Sequence, residues 1–366
     1  MGLKAIFNTM KKEGYVVKKL DQYLLSLNKE VNDRAININS PSQAGACMRA
    51  NYFSRLQFPQ DGNAIDSRTR RIFDNGHHVH DRLQDYMMKA NILVNDEIPL
   101  RNDKYNIQGH TDGFINLIEP RVNIKDEIDY NEVIKILDLN KDKISKDYFK
   151  VEIFKRKIAT EIGILEIKSI NSGGFSSLKD AKDSHKLQGT VYMFCAEERR
   201  KELLEKYKSD KDFKSSLPER IKYYASLYNH LQDGRKYTRE EKILFKVVEH
   251  TKADIVLFNC PRPINKIVFL YENKDTQDLE EFTVEYDLET LYYILDRYEE
   301  LNSHIDRALE KAKEKGYDVE DLDIDPEFRL SDELRDLFMR YVPEREGTSR
   351  STPPCRWCKY KVECFN

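Results

Sequence analysis

The sequence predicts an α/β protein in which a mixed β-sheet core is flanked by helices, carries helical insertions and ends in a cysteine-rich tail. Three observations predict it. Short stretches alternate apolar and polar residues, longer stretches carry apolar stripes at three-and-four spacing, and three of the six cysteines lie between residues 355 and 364.

In chain order, residues 1–46 are expected to form an N-terminal helical segment, 47–346 the main domain and 347–366 the tail. A helix is expected over 65–90, with Phe73, Gly76, His80, Leu83 and Met87 on one buried face. NILVNDEIPLRN and YNIQGHTDGFINLI follow as two short strands around a polar turn, with Asp112 in the second. A charged insertion near 119–160 separates them from the strand GILEIKSI, where alternation puts Glu166 and Lys168 on one face.

Residues 178–207 return to a helical pattern, apolar at Leu187, Val191, Phe194 and Cys195, with Gln188 and Tyr192 one turn apart. A second insertion near 208–250 precedes INKIVFLYENKDTQDLEEFTVEYD, which predicts two strands around a charged turn. The clearest helix is 288–315, where Asp287 offers an N-cap and Gly316 a C-terminal stop.

A chain of 366 residues holds one large domain or two ordinary ones. Net charge is only -3 although 34% of residues are charged, so any nucleic-acid surface has to be a local patch. No apolar run approaches the roughly 20 residues that span a bilayer, and the start lacks a signal-peptide pattern, so a cytoplasmic protein with no membrane partner is expected. In a reducing compartment the cysteines are expected as ligands, catalysts or buried apolar groups rather than disulfides.

Asp112, Glu166 and Lys168 form the first chemical constellation. Hydrolysis of a phosphodiester without a covalent intermediate needs a divalent cation, and Mg²⁺ or Mn²⁺ prefers oxygen ligands such as two carboxylates on adjacent strands. A lysine beside them can position water and offset developing charge. An E-x-K triplet alone is usually a solvated strand face, but Ile164, Leu165, Ile167 and Ile170 surround this one, and buried charges need partners or metal. His80 is a further candidate ligand that would favour manganese, set against an ordinary hydrogen-bonded core histidine. Gln188 and Tyr192 could orient a carboxylate or bind a phosphate, or belong to an ordinary amphipathic helix.

The cysteines form the second. Cys355-x-x-Cys358 gives a two-thiolate bite, Cys364 follows, and no fourth Cys or His lies nearby, which leaves Cys47 as the best remaining partner. The spacing suits zinc or an iron–sulfur cluster, with iron–sulfur preferred. Joining Cys47 to the tail would close a loop of about 300 residues and restrict the unfolded chain, with a gain that grows only logarithmically.

In their order GHHVH, GHTDG, ILEIK and LQGTVY, followed by CRWCKYKVEC with an upstream cysteine in ACMRANYF, these motifs resemble the PD-(D/E)XK nuclease superfamily. The likeness is to RecB-like exonucleases with an iron–sulfur cluster, such as the AddB nuclease domain and CRISPR-associated RecB-like nucleases. It implies a restriction-endonuclease-like fold and a metal-dependent exonuclease acting on DNA ends, with single strands preferred, in recombination, repair or phage DNA metabolism. Alternatives within it are a CRISPR adaptation nuclease that trims spacers and an inactive DNA-binding clamp subunit.

By the same resemblance His80, Asp112, Glu166 and the carbonyl of Ile167 become ligands of Mg²⁺ or Mn²⁺, and Lys168 the catalytic lysine. Gln188 and Tyr192 become site-supporting or DNA-contacting residues, and Cys47, Cys355, Cys358 and Cys364 the ligands of a cluster, expected as 4Fe-4S. DNA is the implied partner. No Walker-type loop is present, so a helicase or recombination partner would supply any motor. Arg49, Arg55, Arg68, Arg70, Arg71, Lys179, Lys182 and Lys186 flank the motifs and are candidates for tracking a DNA backbone.

Overall fold

A computed structural model describes residues 15–26, 38–60, 66–118, 161–209, 262–319, 330–347 and 355–365, with 253, 254, 256, 257, 260 and 349. The expected insertions near 119–160 and 208–250 lie outside the described residues, except that a helix reaches Ser209. The chain divides into two compact units. One comprises 38–46 and 80–303; the other comprises 1–37, 47–79 and 304–366.

The first unit is built on one mixed five-stranded sheet in the order β1 (Leu93–Asn102), β2 (Ile107–Asn116), β3 (Ile162–Ile170), β4 (Lys266–Asn273), β5 (Leu279–Glu285). Only β3 and β4 run parallel, and the other pairs are antiparallel. A parallel pair needs a long crossover, which here carries the short helix α4 (Ser172–Ser176) and the long helix α5 (Asp183–Ser209). β3 is buried from Ile162 through Ile167, as a central strand requires, whereas β5 alternates exposed and half-buried side chains as an edge does.

Helix α5 packs on β1, β3 and β4. Gln188 to Met193 are all buried, polar Gln188 and Thr190 included. Gly189 lets the helix come this close: a Cβ there would stand 2.9 Å from Ile267 and Phe269 of β4. Leu291, Ile294, Leu295 and Tyr298 of α6 (Leu288–Glu314) join Val191, Ile164, Ile267 and Phe269 in one apolar core. The Asp287 carboxylate accepts from the Thr290 amide at 3.0 Å, and Gly316 takes a left-handed φ of 83°, so both ends of α6 stop as the sequence predicts.

Helix α3 (Ser67–Lys89) contributes its second half to this unit. Arg82 clamps Glu272 of β4 with two bonds of 2.6 and 2.7 Å, and Glu272 is 2% exposed. Removing the partly exposed Arg82 would leave a buried carboxylate without its cation, which is destabilising. Phe73, expected on the buried face of α3, is 52% exposed. The apolar stripe becomes buried only near Val79 and Leu83, because the preceding turns carry outward-facing side chains.

The second unit holds α1 (Tyr15–Ser26), α2 (Met48–Arg55), α7 (Asp332–Phe338) and α8 (Lys361–Phe365). Phe53 packs on Phe58 and Tyr360 at ring distances of 4.7 and 5.8 Å. The Tyr52 hydroxyl donates to the Phe338 carbonyl at 2.8 Å, and Arg335 holds the buried Glu363 at 2.8 Å. Segments about 300 residues apart in sequence are thereby fixed side by side. Among the described residues no helix is long and apolar enough to cross a membrane.

Gly113, next to Asp112, shows how tightly β2 is set. A Cβ there would lie 2.6 Å from the Asn95 carbonyl of β1 and 2.6 Å from a Leu93 methyl. A backbone carbonyl in a sheet cannot step aside cheaply, so Gly113→Ala should destabilise by about 1–3 kcal/mol. Urea denaturation would check this through a lowered midpoint at unchanged slope.

Candidate functional site

The antiparallel ladder between β2 and β3 runs from Asn116↔Ile162 to Gly113↔Leu165 and then opens. Two side chains of β2 take over its bonds. Thr111 Oγ1 donates to the Leu165 carbonyl at 2.7 Å, and Asp112 Oδ2 accepts from the Ile167 amide at 2.5 Å. This opening sets Asp112, 9% exposed, beside Glu166, 4% exposed. Ile167 fills the core with its own side chain.

Two carboxylates this close and this dry are costly unless compensated. Asp112 Oδ1 lies 3.1 Å from His80 Nδ1. Glu166 Oε1 accepts from Lys168 Nζ at 2.7 Å and from Gln188 Nε2 at 2.8 Å. Gln188 is itself oriented: its Oε1 accepts from Lys168 at 3.2 Å, and its amide nitrogen lies 3.2 Å from the Tyr192 hydroxyl, which donates to the His110 carbonyl at 2.6 Å. The expected residues therefore form two adjacent hydrogen-bonded sets, Asp112 with His80 and Glu166 with Lys168, Gln188 and Tyr192, which meet where Asp112 Oδ2 accepts from the Ile167 amide next to Glu166. Gln188 and Tyr192 are buried, at 5% and 3% exposure, and act on their neighbours rather than on a surface ligand.

One atom stays uncompensated. Glu166 Oε2 is buried and has no hydrogen-bond partner. Burial and then the Asp112 charge push the Glu166 carboxyl up to about 7, against the pull of Lys168. For His80, burial works downward, but the hydrogen bond and charge of Asp112 outweigh it and leave the imidazole raised. A buried carboxylate oxygen without a donor, beside a second carboxylate and an imidazole, is a donor set that suits a hard divalent cation.

The structure adds two residues that periodicity does not reveal. Gln84, one turn after His80, donates to the Asp112 carbonyl at 2.8 Å and to Glu97 Oε1 at 3.1 Å. Glu97 takes a left-handed φ of 47° in β1, an uncommon conformation for a non-glycine residue that tends to mark functional positions. Burial raises its carboxyl, opposed by the Gln84 bond and reinforced by the Asp112 charge. Only the GHTDG motif hinted at its place, through the strand that has to pair with it.

In the other unit Cys47, Cys355, Cys358 and Cys364 line one pocket with Ala50, Phe53, Lys361 and Phe365. Cys47 precedes the first residue of α2, and Cys355 and Cys358 close one turn. Burial, followed by the Cys364, Cys47 and Cys358 thiols, raises the Cys355 thiol. Two N–H groups point at the sulfurs: Arg49 Nη1 at 3.8 Å from Cys364 and the Tyr360 amide at 3.4 Å from Cys358.

Among the described residues no three His, Cys, Asp or Glu side chains are grouped as ligands of a single ion. Cys195 and Cys260, at 1% and 2% exposure, are buried apolar groups elsewhere.

Three of the eight basic residues expected along a DNA backbone are buried or paired. Arg55 is 4% exposed, Arg71 pairs with Asp21, and Lys186 pairs with Asp180. Local sequence showed their charge but not these partners. No protein-family model, curated protein or solved structure matches the chain.

The raised Glu166 carboxyl has a consequence for stability. The folded protein prefers the protonated form, so this contribution is complete below the unfolded value near 4.5 and is lost as pH rises through about 7. Chelator-treated protein should show a falling urea midpoint between about pH 5 and about pH 8, with a shallower fall in Glu166→Gln. Identical profiles for the two proteins would contradict it.

Proposed function

We propose that the chain is a divalent-metal-dependent deoxyribonuclease of the PD-(D/E)XK superfamily, with a restriction-endonuclease-like core and a RecB-like, cluster-bearing organisation. It hydrolyses phosphodiester bonds at DNA ends, prefers single strands, and works in the cytoplasm in recombination, repair or phage DNA metabolism. A helicase or recombination partner supplies any motor. The observation that carries this reading is the buried, unpartnered Glu166 Oε2 beside Asp112 and Lys168.

In this reading Asp112, Glu166, His80 and the Ile167 carbonyl hold Mg²⁺ or Mn²⁺. When bound, the ion polarises the phosphate and lowers the pKa of water. The protein's own groups do the rest. Lys168 has three N–H donors; Glu166 and Gln188 take two, leaving one for the attacking water or a phosphate oxygen. Gln188, fixed by Tyr192, keeps the lysine and Glu166 in register. His80 and Gln84 hold the two ends of Asp112, its carboxylate and its carbonyl.

End-labelled single and double strands incubated with Mg²⁺ or Mn²⁺ test the assignment. Wild-type protein should shorten them, and Asp112→Ala or Lys168→Met should lower the rate by about a thousandfold or more. The absence of any Asp112-dependent cleavage sinks the enzyme reading and leaves a DNA-binding clamp.

The cysteine cavity supports a 4Fe-4S cluster held by Cys47, Cys355, Cys358 and Cys364, serving as a clasp between distant segments. Protein purified without air should be brown, and Cys47→Ser should lose both iron and thermal stability. A colourless, zinc-loaded, fully stable preparation would refute iron.

A further inference from the structure

His185 lies in the first turn of α5, three residues before Gln188 and on the same helix face. Its Nδ1 is 2.7 Å from the Tyr271 hydroxyl, and the two rings stack with centroids 5.7 Å apart and planes at 23°. Tyr271 is wholly buried, and its oxygen already accepts the Lys182 amide N–H at 3.1 Å. Among the described residues the hydroxyl proton has one acceptor, Nδ1. Tyr271 therefore donates and His185 Nδ1 accepts, so the neutral ring carries its proton on Nε2.

Burial, then the Lys168 and Lys182 charges, hold this imidazole down to about 4, so it is neutral near pH 7. Tyr271 is paired with Lys168 across the parallel β3–β4 ladder, and Gln188 holds the Lys168 ammonium. His185 thus stands beside Lys168 with a fixed N–H donor that no described residue uses.

We infer that His185 is a substrate-contacting residue whose Nε2–H donates to a non-bridging oxygen of a DNA phosphodiester lying against Lys168. The inference rests on the nuclease reading. A neutral donor there adds a directional bond without placing a second cation against the lysine. It also sets a signature: it strengthens binding but releases no counterion, so it leaves the salt dependence of KM unchanged.

Steady-state cleavage of a single-stranded oligonucleotide with Mn²⁺ by four proteins tests this: wild type, His185→Asn, His185→Phe and His185→Gln. Asparagine presents its amide at the Nδ1 position, phenylalanine keeps the stacked ring without a donor, and glutamine reaches the Nε2 position with an N–H. Asn and Phe should raise KM roughly tenfold to a hundredfold with kcat little changed, and Gln should recover most of the loss. The slope of log KM against log salt should be the same in all four.

A KM within about twofold of wild type in both Asn and Phe overturns the contact. So does an equal loss in Gln, which would mark a packing role, or a slope change of about one, which would mark a charged imidazole. If the wild type shows no Asp112-dependent cleavage, the nuclease reading fails and this inference falls with it.

Discussion

The burial of two carboxylates at the point where β2 and β3 part is the constraint on which the rest of the first unit depends. An ionised carboxylate taken out of water without partners is strongly disfavoured, and here Asp112 and Glu166 are taken out together. Each neighbouring device offsets part of that. Helix α3 supplies His80 and Gln84 and is tied to β4 by the Arg82–Glu272 pair. Helix α5 supplies Gln188 and Tyr192, and Gly189 lets it come close enough to do so. The compensation stops one atom short, at Glu166 Oε2. Six residues from four elements meet at this place, and among the described residues Glu166 Oε2 is the buried oxygen left without a hydrogen-bond partner.

Much of this was legible in the sequence, for an identifiable reason. Alternation in β3 depends only on local backbone geometry, so it put Glu166 and Lys168 on one face, where they lie 2.7 Å apart. The three-and-four spacing of α3 and α5 likewise brought His80, Gln188 and Tyr192 inward. Periodicity fails where burial depends on what a helix meets rather than on the helix itself. Phe73 has the spacing of a buried residue and is exposed; Thr190 looks polar and is 2% exposed. Gln84 and Glu97 escaped notice because nothing local marks them: the first is an ordinary helical glutamine, and the second depends on one left-handed residue inside a strand. Charge was the least legible property, since Arg55, Arg71 and Lys186 carry no local sign of what surrounds or pairs with them.

The cysteine unit solves a different problem by similar means. Cys47 and Cys364 are separated by most of the chain, and a bond between them through a shared cluster would restrict the unfolded state, although such entropy grows slowly with loop length. The structure does not leave that association to the sulfurs alone. Phe53 packs against Tyr360, Tyr52 reaches the Phe338 carbonyl, and Glu346 accepts the amide of Met48, the residue after Cys47. Aromatic burial brings the thiols around one cavity, and a cluster would then lock what packing has already aligned. N–H groups are aimed at Cys358 and Cys364, and hydrogen bonds of this kind would spread the negative charge of thiolates bound to a cluster.

Electrostatics sets the terms on which a polyanion could use the carboxylate site. Asp112 and Glu166 repel a phosphate, and Lys168, already bonded to Glu166, offsets only part of that repulsion. A cation on Glu166 Oε2 would reverse the sign of the local field, so it would serve folding and substrate approach through one interaction. The alternative, more lysines and arginines around the site, would attract phosphate without discriminating among its positions. On the proposed reading, a buried orphan oxygen combined with a few fixed donors would make attraction conditional on the ion and alignment dependent on directional bonds. That conditionality would let a chain of nearly balanced charge, at -3, bind phosphate only where the ion sits.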